Sequence, residues 1–265
     1  MEYTRQTTIR KRRAVRRRKK RIRVGVCLIL AVGIVLNAKM LVHVFQNLED
    51  VRIQKFLDSI QHKDYPDELL EMLEHNEEAY DYVVNYPKRE LYKGQKIDLA
   101  GICSVGESPL LLQWDLRWGY DSYGESMIGI AGCGPTCMTM AYLCLTEDTS
   151  MNPRKMAQYA AENGYHSEAG TSWSFFTEGA SGLGLTGREI SLAEPVMKQA
   201  LDQGGVIICS MRPGDFTTTG HFILLKGYDE NGFFVNDPNS RKNSDRQWDF
   251  DTLSGQIKGL WEITK

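Results

Sequence analysis

Residues 221–238, HFILLKGYDENGFFVNDP, constrain the fold more than any other stretch of this chain. An apolar run opens at His221, DENG supplies turn residues, and a second apolar run ends at Asn236, Asp237 and Pro238. Two such runs around a turn of this composition form an antiparallel hairpin. A hairpin sets the start of its first strand and the end of its second at one edge. His221 and Asp237 are therefore expected to meet there, a carboxylate beside an imidazole whose tautomer and orientation it can fix. Taken alone, the pair reads more simply as a structural histidine near a turn aspartate. A nucleophile elsewhere in the chain would change that reading.

The surrounding pattern predicts helices at 135–146, 154–163 and 194–202, then strands at 206–211, 221–228, 233–236 and 260–263. Helices first and strands second point to an α+β fold with an antiparallel sheet. GLGLTG at 182–187 lacks the Lys-Ser/Thr pair and the preceding strand of a phosphate-cradling loop.

The candidate nucleophile lies in AGCGPTC, residues 131–137. Three residues separate Cys133 from Cys137, one too many for a thioredoxin-type redox pair. Cys133, Cys137 and Cys144 have neither a second knuckle nor a nearby histidine, so no zinc site is expected. Cys137, Cys144 and Cys209 sit in apolar contexts and read as small buried hydrophobes. Cys133 differs from them. Gly132 and Gly134 leave room for an approaching carbonyl, and Pro135 opens a helix whose dipole favours a thiolate. A thiolate needs a histidine as proton carrier. Of the five histidines, His43, His62 and His75 lie far upstream and His166 lies on a polar loop, which leaves His221 as the candidate base.

Charge is strongly segregated. Residues 1–23 hold twelve Lys and Arg against one Glu, and the rest of the chain is acidic. An apolar run follows at once, with no charge from Val24 to Leu36 and few polar interruptions before Phe45. About 20 such residues span a bilayer, and flanking cations stay on the cytoplasmic side. The expectation is an uncleaved single-span anchor at 24–45 with all that follows outside the cell. A cleaved signal peptide is the alternative, with only a weak LNA site ending at Ala38. The apolar run also argues against nucleic-acid binding by the tail. Residues 46–105 then read as a helical stalk or linker, or as a lid-side support for the main domain. Ile53, Phe56, Leu57 and Ile60 mark one helix face, and Leu69, Leu70, Leu73, Ala79, Tyr82 and Val83 another. Pro87 and KGQK are expected to end the helical region.

From about residue 108 to 265, GCGPT followed by GHF and VNDP resembles the papain-like cysteine peptidases related to the double-glycine leader peptidases of bacteriocin exporters. The likeness points to their stand-alone, membrane-anchored bacterial branch. QWDLRWGYDSYG, GTSW at 170–173 and GDFTTTGHF extend it. The resemblance implies a papain-like fold over 106–265, with Cys133 as nucleophile, His221 as general base and acid, and Asp237 as orienter. It also implies Gln113 as oxyanion donor beside the backbone N–H of Cys133. No cofactor or metal is expected, and the expected partner is a peptide or protein substrate. The same residues would also serve an acyltransferase or transamidase, or persist in a module that binds peptides without cleaving them.

Overall fold

The computed structural model describes residues 40, 42, 48–60, 65–102, 106–168 and 170–265. The basic tail and nearly all of the expected 24–45 span lie outside the described residues. Among those described, no helix is long and apolar enough to cross a membrane. The chain divides into two compact units, Met1–Ser59 and Ile60–Lys265. In the first, residues 48–59 are helical, and Ile53, Phe56 and Leu57 are half-buried while residues around them are exposed, as the apolar spacing predicts.

The second unit begins at Ile60, well before the boundary expected at 106. The reason is packing. The run from Asp67 forms α1 (Asp67–His75) and α2 (Tyr80–Val84), broken at Asn76, whose side-chain oxygen accepts from the Glu78 N–H at 3.1 Å. Burial falls on the six expected residues: Leu69, Leu70, Leu73, Ala79, Tyr82 and Val83. The Tyr82 ring occupies space that two glycines leave open. A Cβ on Gly119 would lie 2.7 Å from that ring, and one on Gly129 2.3 Å. A 3-10 turn, Tyr86–Leu91, carries the helical region past Pro87, which is tolerated in a first turn.

Next come β1 (Ser122–Tyr123), β2 (Ser126–Met127), α3 (Ile128–Ala131), α4 (Cys133–Thr146), α5 (Pro153–Glu162), β3 (His166–Ser167), β4 (Gly170–Thr171) and α6 (Glu178–Gly182). The remainder runs β5 (Thr186–Glu189), α7 (Glu194–Asp202), β6 (Val206–Met211), β7 (His221–Asp229), β8 (Gly232–Asn236), α8 (Arg241–Ser244), β9 (Gln247–Trp248), α9 (Phe250–Ser254) and β10 (Ile257–Thr264). Six strands form one antiparallel sheet in the order β5-β10-β6-β7-β8-β9. The fold is α+β, as expected. The pattern did not reveal β5, because TGRE is mostly exposed and carries no apolar alternation.

Both faces of the sheet are covered. Ile208, Leu224, Trp261 and Ile263 join a core with Met138, Met140 and Ala141 of α4 and Met156 of α5. Ile207, Cys209, Ile223 and Leu225 join Met197 and Ala200 of α7 on the other side. A strand buried on both faces reads as a continuous apolar run, which is what VIICSM of β6 does. The α4 helix is itself buried over most of its length, so it holds its position as a core element.

Candidate active site

Cys133 is the first residue of α4. The helix was expected from Pro135; it begins two residues earlier because Thr136 N–H already donates to the Gly132 carbonyl, at 3.0 Å. First-turn N–H groups have no intrahelical acceptor, and the positive end of the helix dipole lies among them. The flanking glycines have a different use from the one read in the sequence. A Cβ on Gly132 would stand 2.5 Å from the Ile128 carbonyl oxygen, and one on Gly134 2.5 Å from Thr171 Oγ1. The space they leave is filled by the protein, and this lets α4 start hard against α3 and β4.

The other cysteines behave mostly as expected. Cys137 and Cys209 are buried, and burial pushes both thiols up, for Cys137 with added repulsion from Cys133 and Asp237. Cys137 donates to the Phe222 carbonyl at 3.3 Å. Cys133 and Cys137 are not joined in a disulfide. Cys144 is half-buried rather than buried. His166 is also half-buried, its ring edge-on to Tyr123 at 4.4 Å, a packing role.

The β7–β8 hairpin pairs Leu224 with Asn236, which puts His221 and Asp237 at one edge of the sheet. His221 Nε2 and Asp237 Oδ1 are 2.7 Å apart, and the Cys133 side chain is near enough to the His221 ring to favour its protonated form. The structure thus brings Cys133, His221 and Asp237 together. Burial acts to lower the His221 pKa, but the Asp237 charge and hydrogen bond, with a lesser part from Cys133, outweigh it and push it up to about 10. A buried carboxylate is tolerated where donors satisfy it. Asp237 is fully buried and has three: His221 Nε2, the Asn239 N–H at 2.8 Å and Asn243 Nδ2 at 2.8 Å.

Two of those donors belong to the loop after β8, and that loop is held from outside. Glu78 Oε1 accepts from Ser240 Oγ at 2.7 Å, and Glu78 Oε2 from the Arg241 N–H at 2.9 Å. Asn76 Nδ2 donates to the Asn239 carbonyl at 2.6 Å, and Trp114 Nε1 to the same oxygen at 3.0 Å. Asn236 Nδ2 reaches back to the Ser108 and Pro109 carbonyls, both at 3.1 Å. Sequence reasoning missed Asn243, Glu78 and Asn76. No local pattern marks a contact made across 160 or so residues.

Gln113 lies nearby in a different arrangement from the one expected. Its Nε2 donates to the carbonyls of Gly129 at 2.9 Å and Ile130 at 3.2 Å, so both amide hydrogens are engaged within the protein. Its Oε1 is buried without a partner.

Cys133 and His221 both line a cleft of about 760 Å³. One wall comes from the helical side, through Ile130, Ala131, Thr171 and Trp173; the other comes from the sheet, through Met211, Arg212, Gly220 and Lys258. A buried nucleophile helix, a histidine with a carboxylate behind it, and an open cleft between helical and sheet layers suit acyl chemistry. The sequence of the Peptidase_C39 like family matches residues 107–265, more than half of the chain. The chain belongs to that family. Among solved structures it is similar to the peptidase domain of Streptococcus ComA, a bi-functional ABC transporter of a quorum-sensing pathway, at 19% identity and a TM-score of 0.39. That likeness covers 50% of this chain and 89% of the other. A C39-like peptidase from Bacillus anthracis is similar at 13% identity and a TM-score of 0.37, over 60% of this chain and 96% of that one. No curated protein matches. Within this Peptidase_C39 like chain, α1 and α2 lie upstream of the matched residues, yet the turn between them supplies Glu78 and Asn76 to the loop behind Asp237.

Proposed function

We propose that this chain is a cysteine peptidase that hydrolyses peptide bonds through Cys133, His221 and Asp237. The observation that carries the reading is the buried His221 Nε2 to Asp237 Oδ1 hydrogen bond at 2.7 Å, with His221 and the half-buried Cys133 lining the same peptide-sized cleft. Cys133 Sγ attacks the scissile carbonyl carbon, the S–C bond forms, and N–H groups at the start of α4 receive the developing oxyanion. His221 gives its proton to the leaving amine as the C–N bond breaks, leaving a thioester on Cys133. Water then attacks the thioester as His221 takes its proton, the S–C bond breaks to release the carboxylic acid product, and His221 returns the proton to the Cys133 thiolate. Asp237 holds His221 in the tautomer that serves both transfers. An oxyanion role for Gln113 asks its carboxamide to exchange the 3.2 Å bond to Ile130 for the substrate oxygen.

The same proposal includes the setting. The basic run at 1–23 and the apolar run at 24–45 support a single-span membrane anchor with the catalytic unit outside the cell. This is the membrane-anchored, stand-alone form expected from the sequence, acting on extracytoplasmic peptides or proteins.

The test is iodoacetamide alkylation of Cys133 in the full chain, mapped by mass spectrometry, beside His221→Ala. Alkylation at neutral pH should be fast in the wild type and slow at least tenfold in the variant, since a positioned base contributes roughly 10² or more to such steps. Equal rates in the two proteins would remove the peptidase reading.

A further inference from the structure

Two cavities share Ile130 and Thr219, the larger holding the reacting sulfur, and their charges are opposite. The larger holds Cys133 and His221; apart from these two, its ionisable lining groups are Arg212 and Lys258, with no carboxylate. Arg212 is fixed by donating to the Ile257 carbonyl at 3.0 Å, and Lys258 stands over the Trp173 ring at 5.5 Å. Neither makes an ion pair with a carboxylate among the described residues. Their charges are free for a ligand.

The smaller cavity, about 300 Å³, shares Ile130 and Thr219 with the first. Its outer wall is one face of α1. Glu68, Glu71, Met72 and His75 follow helical spacing and line it, while Leu69, Leu70 and Leu73 turn into the core. Glu68 and Glu71 form no ion pair among the described residues. Gln113 lines the same cavity at only 4% exposure, and its Oε1 is the buried acceptor left without a donor. An unmet buried acceptor costs free energy that a ligand N–H can recover. Two carboxylates and an unmet acceptor suit a cationic N–H group, such as a lysine or arginine side chain. This wall lies upstream of residue 107, where the family match begins.

We propose that the cleft is dipolar and selects a peptide with a carboxylate side chain on one side of the reacting bond and a cationic side chain on the other. Arg212 and Lys258 seat the carboxylate; Glu68, Glu71 and Gln113 Oε1 seat the cation. The proposal rests on the peptidase reading for its reacting bond, and on the two cavities alone for its charge pattern.

The test is protection of Cys133 from iodoacetamide in the full chain by blocked alanine–glycine peptides. One series carries Glu before the centre and Lys after it, a second reverses them, and a third is neutral. One charged polarity should protect at concentrations several-fold, and up to about 25-fold, lower than the other two, since each exposed arm contributes up to about fivefold. Added salt should shrink the difference, because exposed charges are screened. Glu68→Gln with Glu71→Gln should remove the part of the preference due to Lys, and Arg212→Gln with Lys258→Gln the part due to Glu. Protection by the neutral peptide should stay unchanged in both. Equal protection by all three series overturns the proposal, as does no protection by any, or a preference that survives both double variants. Slow, His221-independent alkylation with the polarity preference intact would sink the peptidase reading while leaving the charge pattern standing.

Discussion

The start of α4 and the loop after β8 each hold one end of the candidate active site, and they draw on different sources. Around Cys133 the geometry is mainly local. Gly132, Gly134 and Pro135 let the helix begin at the cysteine, pressed against Ile128 of α3 and Thr171 of β4. Around Asp237 it is remote. The loop 237–244 supplies two donors to the carboxylate, but its own position depends on Glu78, Asn76 and Trp114. A locally specified position should tolerate damage elsewhere and fail abruptly when its own residues change. A remotely specified one should weaken in steps as each anchor is removed.

The largest effect should come from the shared centre. Asp237→Asn keeps the shape but removes the charge that holds His221 and its proton, and one side-chain amide cannot accept from all three present donors. Cleavage of any peptide substrate, or alkylation of Cys133 where no substrate is known, should fall on the order of 10²-fold or more. A fall of less than twofold would mean that Asp237 is a structural turn residue only.

Next is the local side. Gly134→Ala places a Cβ 2.5 Å from Thr171 Oγ1, inside a helix start that has no spare room. The cost expected from overpacking is about 1–3 kcal/mol, reduced by the roughly 1 kcal/mol that alanine gains over glycine in a helix. Urea unfolding of the full chain would measure it. Gly134→Ala with Thr171→Ala, which removes Oγ1, should lose less than the sum of the two single variants if contact with Thr171 is the cause. Additive losses would place the fault in the backbone instead.

Glu78→Ala tests the remote side. It strips acceptors from Ser240 Oγ, the Arg241 N–H and the Lys242 N–H, and should cost about 1–3 kcal/mol. It should also slow Cys133 alkylation several-fold, although Glu78 touches neither Cys133 nor His221. Glu78→Gln keeps one acceptor oxygen and should lie between. If stability falls and alkylation does not, the loop is anchored by Glu78 without transmitting that anchorage to Asp237.

The same contrast explains what the sequence disclosed. His221 and Asp237 were legible as partners because a tight hairpin converts spacing into contact, and Leu224 does pair with Asn236. Cys133 was legible because glycine, proline and an apolar run specify a helix start over a few residues. The six buried positions between Asp67 and Val84 were legible from their spacing, yet their destination was not. Nothing in a periodic apolar stripe says which surface covers it, so a stalk and a support for the main domain read alike in the sequence, and residues from Ile60 onward belong to the unit that holds the site. Gln113 shows the other limit. Its type suited an oxyanion donor, but its two N–H groups are engaged by the Gly129 and Ile130 carbonyls, a competition set by the path of the chain before α4.

The smallest effect, and the one that joins the two sides, is a pH dependence. His221 has a pKa of about 10 in the folded chain against an ordinary 6.5, burial being outweighed chiefly by Asp237. A group whose folded pKa is raised stabilises the fold fully below its unfolded pKa, and the contribution is lost as pH rises through the folded value. The difference in urea midpoint between wild type and His221→Gln should therefore be greatest near pH 6, decline above it, and be largely gone by about pH 10. A difference that grows with pH would show that the imidazole is buried neutral and that Asp237 does not hold its proton. Repeating the pair in the Glu78→Ala background sharpens the comparison. If the remote anchor sets the placement of Asp237, its loss lowers the folded pKa of His221, and the decline must be complete at a lower pH than in the wild type.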